Sequence, residues 1–461
     1  MGEAPLRQGT IVRDVIAPSP AGRTGRWRRV EPLAMTAWAL MANTVTTSAL
    51  GVVFWAVASR LYSPQLLGED AALISAMILL STVSQLNLGM GIPRLLPQVQ
   101  ERRWRPVLGA YTLTAFVGVV VTGGFLALVP RLSHGFAFIA QNSTLGLALV
   151  GAVVLWNIFA LQDAVLTSAR WTPVVPVENG LFGLLKIAVM VWLAGGLISH
   201  GVFFASLMAM VLLVVPVNVL IFKKVLPSTG GGGQDLLPTV IPLSERALVT
   251  RYLAVDYTAA LLSQGSNALL PLLVIGVLGR ADNAYFYVTF LIASAVGAMA
   301  LSLTTSLVSE GAYDEANVVS LARRSAKRYV EFVAPGVAAL ILAAPLVLRI
   351  FGAAYVAHGT TLLRLLLAGT VAQAVVMLYL GVERVRARVS RVLAVEAATV
   401  VLVSTGGILG MRWDGLTGLG LAWLLAQLSM AAVVAPRLWR LIGRSHSGSG
   451  IQALVSPDGG G

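Results

Sequence analysis

The chain has 461 residues, 57% of them hydrophobic and only 11% charged, with a mean hydropathy of +0.82. Soluble proteins carry about 25% charged residues, so the composition excludes an ordinary soluble domain. Cysteine is absent, which removes disulfide and thiol chemistry, and the net charge of +13 sits in short clusters between apolar runs, as a membrane topology signal does and a nucleic-acid surface does not.

Residues 1–32 have no apolar stripe, and RTGRWRR reads as a basic tail beside anionic headgroups. Apolar runs then recur at the length of a membrane-spanning helix. They predict twelve spans, at 33–59, 70–92, 105–129, 143–168, 174–197, 201–223, 247–278, 284–309, 325–350, 359–382, 389–410 and 416–441. Ala56-Val57-Ala58 mimics a signal-peptidase site, but the apolar stretch before it is too long for a signal peptide. Lys and Arg gather after alternate spans, at Arg102 and Arg103, Lys223 and Lys224, Arg323 to Arg328, Arg384 to Arg391, and Arg437 to Arg444. The opposite side holds scattered arginines such as Arg60, Arg131, Arg280, Arg349, Arg364 and Arg412. The positive-inside rule therefore places both termini in the cytoplasm.

PSTGGGGQDLLPTVIP reads as a flexible connector. It divides the chain into a first lobe (33–226), a linker (227–246), a second lobe (247–442) and a short tail (443–461). Each lobe holds six spans, and the apolar–turn–acid pattern of ASRLYSPQLLGEDAALIS returns as GVLGRADNAYFYVTFLIAS, with a polar turn of about eight residues expected in each. An even number of spans per lobe makes the repeats run in the same direction, an arrangement of transporters with a substrate site between the halves. The fold class is thus an all-α polytopic membrane protein of two six-helix lobes related by a pseudo-twofold axis.

Ionisable residues inside spans cost about 2.5–3.5 kcal/mol each and face a partner or a wet cavity. Asp163, Glu178, Asp256 and Glu396 are candidates for ion coupling or intramembrane pairing. Lys186 stands apart, about 15 Å from either end of its span and beyond snorkelling reach. Glu178, on the same helix, is about 12 Å away and cannot pair with it. Lys186 therefore needs either a buried ion-pair partner from another helix or a cavity in which it attracts an anion. Asn43, Gln85, Asn87 and Asn267 belong to polar clusters in the first two spans of the lobes, consistent with interhelical bonding or a hydrated groove. There is no Walker A sequence, metal constellation or acidic pair in a large loop, so no cofactor, metal or enzyme activity is expected.

The stretches SRLYSPQLLGEDAALIS, LNLGMGIPRLLPQ, LQDAVLTSARWTPVVPVENGLFGLLKI, GRADNAYFYVTF, TSLVSEGAYDEA and FGAAYVAHGTTLLRLL resemble a known family. It is the polysaccharide-transport (Wzx-like oligosaccharide and O-antigen flippase) branch of the multidrug/oligosaccharidyl-lipid/polysaccharide (MOP) exporter superfamily, in its actinobacterial form. The resemblance implies two lobes rocking between inward- and outward-open states in a bacterial cytoplasmic membrane, working as a monomer. The implied substrate is an undecaprenyl-diphosphate-linked glycan, with polymerases or glycosyltransferases as partners. Lys186 would receive the diphosphate, with Arg60 and Arg364 on the outer side and Arg94 and Arg251 on the inner side as entry and exit sites. A cation-coupled small-molecule exporter of the same superfamily, and a membrane scaffold for polysaccharide-synthesis enzymes, are the alternatives.

Overall fold

A computed structural model describes residues 30–96, 99, 102–228, 243–313, 318–386 and 388–443; residues 1–29, 229–242 and 444–461, which hold most of the expected tails and linker, lie outside the described residues. In the first lobe the spans are α1 (Val30–Leu61), α2 (Pro64–Ser84), α3 (Trp104–Leu132), α4 (Ser143–Ser168), α5 (Val174–Gly195) and α6 (Gly201–Leu220). A π turn, Ile221–Val225, prolongs α6. The second lobe holds α7 (Leu243–Val277), α8 (Arg280–Tyr313), α9 (Ala334–Arg349) and α10 (Ala353–Val385). An amphipathic stretch, Val318–Arg328, leads into α9 through a second π turn, Tyr329–Val333.

The last run, Val389–Gly443, bends at Asp414 and Gly415 into α11 (389–413) and α12 (416–443). Gly415 takes φ +53, a left-handed conformation that favours glycine. Gly410 and Gly418 then meet backbone to backbone, since a Cβ on either would fall 2.3 or 2.0 Å from the other's carbonyl oxygen. Most of these helices are long and apolar enough to cross a membrane, and large apolar side chains such as Phe116, Leu147 and Leu342 stand exposed on the outside. The chain is a multi-pass membrane protein, with twelve long helices among the described residues.

The spans agree with the apolar runs, but the turns are much shorter than expected. Only Tyr62 and Ser63 separate α1 from α2, where a polar turn of about eight residues was predicted. Ser63 accepts a hydrogen bond from the Leu66 amide and Pro64 starts the helix, a strong N-terminal signal. Glu69 and Asp70 consequently lie inside α2, nearly or fully buried. At its other end α2 stops at Ser84, because Leu86 and Asn87 take positive φ before a short helix, Leu88–Leu95.

Call the end where α1 and α7 begin the near end, and the opposite one the far end. One continuous apolar core occupies the far end and joins both lobes, through residues such as Phe54, Leu73, Phe203, Ile275, Phe286 and Leu366. Toward the near end this core divides into two. One lies within the first lobe, around Ile92, Val107, Leu161, Val165 and Ile221. The other lies within the second, around Leu307, Leu321, Val376, Tyr379 and Leu438. The lobes meet chiefly through α2 against α7 and α8. Their tightest approach is at Gly68, where a Cβ would fall 1.7 Å from the carbonyl oxygen of Arg280 and 3.2 Å from the Ala284 amide nitrogen. The Asn283 side-chain amide donates to the Gly68 carbonyl at 2.7 Å across this seam.

Gly68→Val should therefore force the far end apart. In an Ala284→Cys background, where the buried position resists thiol reagents, the added valine should speed maleimide labelling about tenfold, from an overpacking cost of about 1–3 kcal/mol. Unchanged labelling would contradict the tight seam.

Candidate functional site

Lys186 projects from the middle of α5 onto two aromatic rings, its ammonium 4.5 Å from the centroid of Phe54 and 5.2 Å from that of Phe182. Such cation–π contacts offset part of the cost of holding a charge out of bulk water. Among the described residues no carboxylate forms an ion pair with it. The aromatic group continues in both directions. Phe182 packs on Phe159, which stacks with Trp156 on α4. Phe54 meets Trp55, whose ring lies 4.4 Å from Tyr287 of α8, on the opposite lobe.

Two carboxylates of this lobe, Asp163 and Glu178, lie elsewhere, in its near-end core. Asp163 on α4 accepts a hydrogen bond from the Asn179 amide at 3.1 Å. Among the described residues, Glu178, 3% exposed, has no hydrogen-bond partner at either carboxylate oxygen, nor do the second Asp163 oxygen and the Tyr111 hydroxyl. Glu178 interacts electrostatically with both Asp163 and Tyr111. Four oxygens without partners thus share one apolar surround, about two helical turns from Lys186. The structure brings Asp163 and Glu178 together and keeps both apart from the lysine.

The arginines have local partners. Arg60, at the end of α1, donates to the carbonyls of Arg349 at 2.6 Å and Ile350 at 3.0 Å, closing the C-terminal end of α9 from the other lobe. Arg364 donates through Nε to the Ile341 carbonyl at 3.2 Å. Pro345, four residues after Ile341, has no N–H to offer that carbonyl, so Arg364 replaces the missing helical bond. Glu396 pairs with Arg384 at 3.0 Å, and the fully buried Glu383 faces Arg388 and Arg391, all near the near end. The side chains of Arg94, Arg251 and Asp256 lie outside the described residues.

Of the polar candidates, Asn43 is half-buried with a carbonyl oxygen lacking a partner, and Gln85 closes α2 through its amide bond to Ser81. Asn87 holds the left-handed break after α2. Asn267 lines a cleft of about 140 Å³ in the second lobe with Phe290, Ser294, Thr370, Gln373 and Trp423. No charged residue lines that cleft.

A cluster that the sequence reading passed over occupies the far end. Asp70 accepts hydrogen bonds from the Val202 and Phe203 amides and from His200, thereby capping α6 from α2. Beside it Glu69 forms an ion pair with Arg280 of the second lobe. The Ser63-Pro64 start signal would have placed both acids inside a helix. Nothing local marks His200 and Arg280 as their partners.

Solved structures share this architecture. Over 91% of this chain and 96% of that chain, a MATE transporter crystallised in a bent conformation superposes with a TM-score of 0.57 at 14% identity. VcmN, a MATE transporter of Vibrio cholerae, gives 0.56 at 13% identity, covering 90% of this chain and 97% of that chain. An inward-facing multidrug resistance MATE transporter of the MOP superfamily gives 0.53 at 16% identity, covering 95% and 99%. No family model and no curated protein matches the sequence. The chain has the fold of the MATE and MOP transporters.

The Arg364 assignment yields a thermodynamic cycle. Arg364→Leu should destabilise the protein by about 1–3 kcal/mol, the cost of an unsatisfied carbonyl in an apolar surround. Combined with Pro345→Ala, which restores the helical donor, the loss should largely disappear. Thermal unfolding of the four proteins in detergent checks this, and equal losses with and without the proline would refute it.

Proposed function

We propose that the chain is a flippase that moves a lipid-linked oligosaccharide, on an undecaprenyl-diphosphate carrier, between the leaflets of a bacterial cytoplasmic membrane by alternating access. The observation that carries this reading is Lys186, a midspan cation without a carboxylate partner among the described residues, held on first-lobe rings that continue through Trp55 to Tyr287 of the second lobe. A diphosphate is the class of ligand that such a cation attracts, through charge-assisted hydrogen bonds to its oxygens. The neutral, amide- and aromatic-lined cleft of the second lobe suits an uncharged, hydroxyl-rich moiety better than a cationic drug.

The fold supports the mode of transport. One joined core at the far end and, among the described residues, two separate cores toward the near end, where the Tyr257 hydroxyl on the Val83 carbonyl still bridges the lobes, support a cleft closed on one side and less tightly joined on the other. With the termini in the cytoplasm, as the basic clusters favour, this is the state that loads from the inner leaflet. Exchange between it and its mirror state carries a bound headgroup across. The two repeats run in the same direction, an arrangement of transporters, and the reading involves no enzymatic step.

A second reading, a cation-coupled small-molecule exporter, is favoured by the four unpartnered oxygens around Glu178, Asp163 and Tyr111. A proton or a monovalent cation is the class of ligand that such a group takes. The solved neighbours include multidrug resistance transporters. The two readings separate on substrate, because the exporter needs the carboxylates and no midspan cation.

In sealed proteoliposomes, a fluorescent undecaprenyl-diphosphate oligosaccharide should reach the opposite leaflet and become accessible to a membrane-impermeant reagent. Lys186→Gln should cut the initial rate about 10- to 100-fold, the equivalent of one lost charge-assisted contact, while leaving the folded protein intact by size exclusion. Equal transfer by both proteins would remove Lys186 from the site. Transfer by neither, with cation efflux intact, would favour the exporter.

A further inference from the structure

We propose that His200 is a proton-binding site that works the far-end latch: a proton on its ring competes with Arg280 for Glu69 and lets the lobes part at that end. The proposal rests on the reading of the chain as a two-lobed transporter, and it names the proton as an ion that shifts the balance between its states.

The geometry fixes where that proton goes. Asp70, fully buried, has one carboxylate oxygen occupied by the Val202 and Phe203 amides at 3.0 and 3.3 Å. Its other oxygen lies 2.9 Å from His200 Nδ1. A carboxylate bonded to two amides is an acceptor, so Nδ1 carries the hydrogen and Nε2 is the atom that gains or loses one. Nε2 faces Glu69 Oε2 at 3.6 Å, while Arg280 holds the other oxygen of the same carboxylate. Both cations also share one aromatic ring. His200 stacks on Phe138 at 6.0 Å, and the Arg280 guanidinium lies 5.6 Å from the Phe138 centroid.

Glu69, Asp70 and His200 belong to the first lobe, and Arg280 alone belongs to the second. With a neutral imidazole, Arg280, paired with Glu69 beside Asp70, has no competing cation. With an imidazolium, one of the two negative charges is already balanced and a like charge stands against the guanidinium. Protonation therefore weakens the only ion pair, among the described residues, that joins the lobes. Reciprocity requires the converse, that Arg280 weakens proton binding while the latch is shut.

His200 stands just outside α6, and its titration follows from these neighbours. Burial lowers its pKa, but the hydrogen bond and charge of Asp70, with the charge of Glu69, outweigh burial and hold it above the ordinary 6.5; Arg280 opposes them. Once the lobes part and Arg280 leaves, that opposition ends, so the parted state binds the proton more tightly. Falling pH must then favour parting, beginning above pH 6.5. The other titratable group facing the cluster is Tyr62, from the turn between α1 and α2, whose hydroxyl is raised by burial and by Asp70 and stays neutral throughout this range.

Spin labels on Leu197→Cys and Trp413→Cys test the proposal, in a chain that has no cysteine of its own. Both positions are exposed at the far end, one in each lobe. Double electron–electron resonance in detergent, from pH 8.5 to 5.5, should show the longer separation rising about fivefold or more. His200→Gln, or His200→Asn if the first does not fold, should remove that pH dependence. Arg280→Leu should favour the longer separation at every pH. A distribution that ignores pH in the parent overturns the proposal, and so does an equal shift in the histidine variants, which would make Glu69 the acceptor. The measurement needs no substrate, so a failure to transfer glycan lipid would count against the flippase and leave the latch standing.

Discussion

A carbonyl or amide that loses its helical partner inside an apolar slab has no water to turn to, and much of this molecule is arranged around that constraint. Asp70 reaches from α2 to the open amides of α6. Arg60 reaches from the first lobe to the last carbonyls of α9. Arg364 serves the carbonyl that Pro345 leaves open, and Tyr257 on α7 donates to Val83 near the end of α2 at 2.6 Å. Gln162 on α4 donates to the Val214 carbonyl of α6 at 3.0 Å. These side chains tie helix to helix because the backbone demands it, and two of the ties cross between the lobes.

The same economy explains which polar groups remain for function. Once charges engaged by backbone or by opposite charges are set aside, the described interior of the first lobe keeps Lys186 on its aromatic shelf and the oxygens around Glu178. They occupy different depths of the lobe and different chemical surroundings. Lys186 rests on Phe54 and Phe182, which belong to the core common to both lobes, whereas Glu178 lies beside a core enclosed by its own lobe.

Much of this was legible in the sequence. Apolar runs define spans because a bilayer fixes their length. Lys186 was legible because its distance from either span end excludes snorkelling. The far-end cluster was not. Two adjacent acids look like a loop, and only the Ser63-Pro64 start signal moves them into a helix. Their partners, His200 and Arg280, lie more than a hundred residues away in the chain, and sequence spacing says nothing about such contacts. Arg60 and Arg364 were legible as costly charges, but the carbonyls that they serve become visible only when Pro345 and the end of α9 are placed in space.

The division of the core also bears on energetics. Parting the far end uncovers apolar surface around Gly68 and Ala284, while drawing the near ends together buries surface now facing the cleft. In the proposed rocking motion one seam is exchanged for another, so the two states can lie close in free energy although each holds a large contact. Small local inputs, a single proton or one bound headgroup, are then sufficient to decide between them. The large hydrophobic contribution sets the stability of both states and the preference for neither.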